Sequence, residues 1–119
     1  MNISQMIEQI KQHPDYAKVG MILCHNGVVR STSREGRPVS GLRVSVDHEK
    51  LQGVIAANKK REGIIEILVH IHGDRDLKVG EDVMYIVVAG DIRENVIAAL
   101  TDTLNTVKST VTRKTQYFA

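Results

Sequence analysis

The sequence predicts an α+β fold, a mixed or antiparallel sheet carrying three main helices on one side. Valine and isoleucine together number 27 of 119 residues, against one Phe, three Tyr and no Trp, so the interior is built from β-branched side chains that favour strands. Three stretches carry helical spacing or a helix-start signal instead, around Ile3–Ile10, Asp47–Arg61 and Asp91–Val107. The two kinds of segment interleave as helix, two strands, helix, two strands, helix, strand.

In the first helix, Ile3, Met6, Ile7 and Ile10 recur at i, i+3, i+4 and i+7, with Asn2 as cap and Gln5 three positions later. Pro14 ends it. Val19 to Val29 is apolar on both faces until His25 and Asn26, which predicts a buried strand emerging toward solvent, with a bulge at Gly27. The polar stretch Ser31 to Pro38 is a loop, and Leu42, Val44 and Val46 alternate with Arg43 and Ser45 as a strand, so the pair reads as a long hairpin.

Asp47 caps a second helix with Leu51, Val54 and Ile55 as its apolar stripe; Asn58 to Arg61 form its polar end before Gly63. Ile64 to His72 reads as a strand, Leu77 to Gly80 as a turn, and Val83 to Ala89 as a strand buried on both faces that closes a hairpin. Asp91 with Glu94 resembles a capping box for a third helix lined by Ile97, Leu100, Leu104 and Val107. Val111 to Phe118 alternates and is rich in Thr, as a strand is.

With 42% hydrophobic and 25% charged residues, the chain reads as one domain over residues 1–119. A lone cysteine, Cys24, cannot form an internal disulfide. No apolar N-terminal segment and no run near the ~20 residues of a membrane span are present, so a cytoplasmic protein without membrane association is expected. A net charge of +2 and few aromatic residues argue against nucleic acid as partner.

Nucleotide-binding glycine motifs are missing: no two glycines lie two apart, and no Gly-Lys-Ser/Thr occurs. His70 and His72 share a strand face but lack further convergent ligands, so no metal is assigned to them. Cys24 and His25 are adjacent on a strand and face opposite sides, which rules them out as a nucleophile and base pair.

The informative feature is basic. Arg30 stands where the first strand enters its loop, and Arg34 and Arg37 follow within that loop. Arg93 lies in the first turn of the third helix, where free N–H groups favour an anion. Lys108 ends that helix, with Arg113 and Lys114 just beyond. Arg93 and Lys108 are fifteen residues apart on one helix, or ~22 Å at 1.5 Å per residue. Both serve one small ligand only if a two-fold dimer brings Arg93 of one copy to Lys108 of the other. Arg113 and Lys114 point to opposite strand faces, so only one of them shares a site with Lys108.

Taken in order, Gly20 and its apolar strand, Gly27-Val28-Val29-Arg30, Val39 and Leu42, then His72, Asp76-Leu77, Gly80 and the strand from Val83 resemble the catalytic (large) subunit of molybdopterin synthase. The correspondence spans about residues 19 to 116 and runs without a gap from His72 to Lys108. It sets Arg93 on the family's helix-start arginine, Lys108 on its catalytic lysine, and, after a one-residue adjustment, Lys114 on its second active-site lysine.

The resemblance implies an α/β-hammerhead fold, a homodimer, and a small ubiquitin-like sulfur-carrier subunit at each end, as a heterotetramer. The carrier's C-terminal Gly-Gly thiocarboxylate and a pterin substrate, cyclic pyranopterin monophosphate, meet in a basic pocket. A sulfurtransferase reaction then forms the dithiolene of molybdopterin, in molybdenum cofactor biosynthesis. Lys108 and Lys114 are implied as catalytic and Arg30 and Arg93 as substrate and phosphate ligands, while Arg34 and Arg37 are candidate phosphate ligands from the basic loop itself, with which of the two faces the pocket left open; no cofactor or metal is required for the transfer itself. Departures from the family pattern are Ile92 in place of a histidine, Ser31-Thr32-Ser33 after the strand arginine, His25 in place of an aromatic residue, and a missing tryptophan and C-terminal extension. They leave an alternative reading: a catalytically altered paralogue that binds a carrier protein or phosphate-bearing ligand without turnover.

Overall fold

The computed structural model describes residues 1–119. Helix α1 (Ile3–Lys11) is followed by a 3-10 turn (Tyr16–Lys18), β1 (Met21–Val28), β2 (Val39–Val46), α2 (His48–Lys59), β3 (Ile64–Ile71), β4 (Asp76–Lys78), β5 (Asp82–Gly90), α3 (Arg93–Thr106), a π-helical turn (Val107–Val111) and β6 (Thr112–Phe118). The strands form two three-stranded sheets, ordered β1-β5-β3 and β4-β2-β6, with every pairing antiparallel. The α+β class and the three helices agree with the sequence; one sheet becomes two.

Strand β5 organises the larger sheet. Its side chains alternate between faces, and both faces are covered. Met84, Ile86 and Val88 pack with Leu51 of α2, Val96 and Ala99 of α3, and Val107 and Val111 of the π turn. Tyr85, Val87 and Ala89 pack with Met6 and Ile10 of α1. Ile86, Val87, Val88 and Ala89 are all fully buried, so Ile86→Ala is expected to cost about 2–5 kcal/mol. Helices therefore lie on both faces of this sheet rather than on one, because a strand that is apolar throughout needs cover on each side.

Strands β1 and β2 do not form the expected hairpin. Met21 to Val28 pairs with β5, while Val39 to Val46 pairs with β4 and β6. As the edge strand of its sheet, β1 is only half-buried, with Cys24 and Asn26 exposed, instead of buried on both faces. Its bulge lies where expected, between Gly27 and Val28. The connecting loop folds on itself: Thr32 bridges to Pro38, and the Ser33 N–H donates to the Arg37 carbonyl at 2.9 Å. Ser33 is itself buried, and its hydroxyl accepts from the Arg37 N–H.

The smaller sheet packs Leu42 and Val44 of β2 and Leu77 of β4 around Val29. Asp76 to Lys78 is thus a short strand, with the turn displaced to Val79 and Gly80, whose φ is +90°. The caps of α1 and α2 form as expected: Asn2 and Gln5 make a reciprocal capping box, and the Asp47 side chain accepts from the Lys50 N–H.

Helix α3 departs from the expected pattern at both ends. Ile92, not Asp91, is its N-cap, and the Asp91 carboxylate instead accepts from the Ile92 N–H and the Asn95 amide. The buried line is Val96, Ala99, Thr103 and Val107; Leu100 and Leu104 flank it, and Ile97 is 48% exposed. Small Ala99 and Thr103 let the helix approach the sheet closely, and close packing outweighs side-chain hydrophobicity in choosing the buried face.

Candidate functional site

One cleft gathers groups from both sheets and from the end of α3. Its volume is about 280 Å³. His25, Gly27 and Val28 come from β1, Val83 and Met84 from β5, Val44 from β2, Thr112 and Lys114 from β6, Arg34 from the folded loop and Lys108 from the π turn. Its apolar members are Val28, Val44, Val83 and Met84. Three cations line the cleft and no carboxylate does.

The turn that carries Lys108 is held by its own chemistry. At Thr106 the α-helical pattern widens, and the Thr112 N–H returns to the Val107 carbonyl. Hydroxyl groups serve the carbonyls released by the wide turn: Thr110 Oγ1 donates to Thr106 O at 2.7 Å, Ser109 Oγ to the same oxygen at 3.3 Å, and Thr112 Oγ1 to Val107 O at 3.3 Å. Val107 and Val111 are buried anchors on either side, leaving Lys108 exposed between them. Single-turn π-bulges of this kind re-aim a side chain and recur at functional sites.

Strand β6 separates its two cations. Lys114 pairs with Val44 and enters the cleft beside Lys108, whereas Arg113 pairs with Ser45 and lines a different depression with Lys50. The loop also divides its arginines. Arg34 lines the cleft, Arg37 lies 3.7 Å from the Phe118 ring centroid in a cation–π contact, and Arg30 Nε donates to the Thr32 carbonyl at 2.8 Å. Arg93 is at the far end of α3, with its side chain 79% exposed and 3.3 Å from Glu94. Within one copy, then, Arg34, Lys108 and Lys114 converge, while Arg30, Arg37 and Arg93 lie outside the cleft.

His25 belongs to the site although no motif singled it out. Burial and the nearby charge of Lys108 hold its pKa below the ordinary 6.5, so the ring is neutral at neutral pH. Parity puts His25 and Gly27 on one strand face, and only the fold shows that this face leads to Lys108.

His70 and His72 occupy the opposite face of the same sheet. Their rings meet edge to face at 5.0 Å, His72 Nδ1 contacts the Asp82 carbonyl at 2.8 Å, and the Tyr85 hydroxyl donates to the Asp82 carboxylate. No group of three or more His, Cys, Asp or Glu side chains is arranged to hold a metal ion.

A protein-family profile described as MoaE protein matches residues 1–110. Among solved structures, the chain is similar to molybdopterin synthase from Staphylococcus aureus, with a TM-score of 0.80 and 18% identity over 100% of this chain and 86% of that one. It is also similar to the complex of subunits 1 and 2 of molybdopterin-converting factor from Helicobacter pylori 26695, with a TM-score of 0.71 and 15% identity over 100% and 84%. The molybdopterin biosynthesis MoaE protein from Burkholderia ambifaria MC40-6 gives a TM-score of 0.74 and 13% identity over 100% and 84%. At these identities the likeness shows the fold. No curated protein matches the sequence.

Proposed function

This chain belongs to the MoaE protein family, and from that premise we propose that it is the catalytic subunit of a molybdopterin synthase. It transfers sulfur from the thiocarboxylate of a small carrier protein to cyclic pyranopterin monophosphate, forming the dithiolene of molybdopterin. The observation that carries this reading is a cleft with three cations, none of them in a salt bridge, and without a carboxylate. Such a cleft suits a reaction whose two partners are both anionic and whose leaving group is a phosphate oxygen.

In this reading Lys108 stands nearest the transferring sulfur, with Lys114 beside it, and Arg34 grips phosphate. Arg93 of a second copy completes the site across a two-fold axis, since within one copy it is ~22 Å from Lys108 along the helix. Arg30 and Arg37 hold the loop that borders the phosphate. A carrier subunit as partner is supported by the solved Helicobacter pylori complex of subunits 1 and 2.

The test mixes the protein with thiocarboxylated carrier and cyclic pyranopterin monophosphate and measures dithiolene formation. Product is expected. A carrier that binds without product formation supports the second reading, a binding paralogue, which is favoured by one observation: the N-cap of α3 is Ile92, 53% exposed, an apolar side chain with no proton to exchange. Mixing Arg93→Ala with Lys108→Ala protein tests the shared site. A mixed dimer retains one intact site and regains activity, whereas a site confined to one copy regains none.

A further inference from the structure

We propose that the His25 imidazole takes the proton from the water molecule that frees the carrier's C-terminus from the transferred sulfur. The proposal rests on the sulfur-transfer reading, because it concerns the second half of that reaction. Once the thiocarboxylate sulfur has bonded to a pterin carbon, carrier and pterin share it as a thioester. Release requires a water oxygen to bond to the acyl carbon while the acyl carbon–sulfur bond breaks, its electron pair staying on sulfur. One water proton passes to His25 and the other stays on the new carboxylic acid, which then ionises to solvent. The pterin leaves as a thiolate, and the imidazolium returns its proton to that sulfur or to solvent. No electron is gained or lost overall.

The cleft offers one group for this task. Its ionisable side chains are His25 from β1, Arg34 from the loop, Lys108 from the π turn and Lys114 from β6, while β2 and β5 contribute Val44, Val83 and Met84. Against three cations, only His25 has a lone pair for a proton at neutral pH. Its position is built into the strand. The ring lies over Gly27, where a Cβ would come within 3.3 Å of Nε2, and the bulge at Gly27 and Val28 opens the strand there. His72 shows the contrast, since its Nδ1 is held by the Asp82 carbonyl. Burial and the charge of Lys108 keep the His25 ring unprotonated, and the same Lys108 charge can stabilise the oxyanion of the tetrahedral intermediate.

Single-turnover reactions of His25→Gln and His25→Ala with thiocarboxylated carrier and cyclic pyranopterin monophosphate test this, with intact-mass detection of the covalent carrier–pterin adduct. Adduct is expected to form and accumulate, its release falling ~100-fold with KM little changed. Added imidazole is expected to speed release in His25→Ala. Wild-type release rates in both variants overturn the proposal, as does loss of both steps without adduct or imidazole rescue. A wild-type protein that forms neither adduct nor dithiolene overturns the sulfur-transfer reading itself, and this step with it.

Discussion

The two faces of the β1-β5-β3 sheet carry polar groups of opposite kinds. On the α1 face, Asp82 accepts from Asn26 at 3.1 Å and from the Tyr85 hydroxyl, and its carbonyl holds His72, while the His70 ring stacks on Tyr85 at 6.2 Å. Acidic groups stand among the cations there, with Asp76, Glu81 and Asp82 beside Arg75 and His72. On the α3 face, Arg34, Lys108 and Lys114 share a cleft with no acidic residue. Both faces hold a histidine with a lowered pKa, His70 by burial, the N-terminal charge, His72 and Arg75, and His25 by burial and Lys108. A shifted histidine therefore does not distinguish the two. What distinguishes them is the sign of the lining: both signs meet on the α1 face, whereas the cleft holds cations without a carboxylate and so suits an anionic ligand.

The largest expected effect that would sharpen this contrast is at Lys108. Lys108→Ala lowers turnover by ~10²–10⁴-fold without changing the fold, because the side chain is exposed and its turn is held by Val107, Val111 and three hydroxyls. Wild-type turnover with a normal melting curve would break the assignment. Next come the loop arginines. Arg34→Ala is expected to weaken binding of the cyclic phosphate by ~10–100-fold, the worth of one charge-assisted hydrogen bond. Arg37→Ala, whose guanidinium lies on Phe118, loses about 0.5–1 kcal/mol of stability and leaves binding close to wild type. Calorimetric titration and thermal melts of the pair separate the two roles.

The smallest effect belongs to the balanced face. Hydrogen bonds from Tyr85 and then Asn26 hold the Asp82 carboxyl below its ordinary 3.8. A depressed carboxylate contributes stability that is full above the unfolded-state value and is lost as pH falls through the folded one. Tyr85→Phe removes the larger cause, so the variant melts below wild type at neutral pH and the gap closes under acid conditions below pH 3.8. Turnover should not change. A loss of turnover in Tyr85→Phe would place this face in the chemistry and erase the distinction.

Much of the fold was legible because local signals agreed with burial. Asn2 with Gln5, Asp47, and the unbroken apolar run of β5 each led to the element found. The pairing of β1 and β2 was not legible, since a loop of turn residues looks the same whether it reverses a hairpin or passes a chain between two sheets. The buried face of α3 was missed because Ala99 and Thr103 win their places by size, which a hydrophobic stripe does not weigh. At the cleft, strand parity put Lys114 and Arg113 on opposite faces, and the family resemblance chose Lys114. Which loop arginine turns inward depended on the contact between Arg37 and Phe118, 81 positions away in sequence. His25 needed knowledge of what lies across from its strand, and no residue near it in sequence supplies that.

The contrast between the faces is tested most directly by carbon-13 correlation spectra of the five histidines during titration with cyclic pyranopterin monophosphate. The His25 ring signal is expected to shift in wild type and to stay in place in Arg34→Ala with Lys108→Ala, while His70 and His72 remain still throughout. Shifts at His70 and His72 with His25 unmoved would contradict the account.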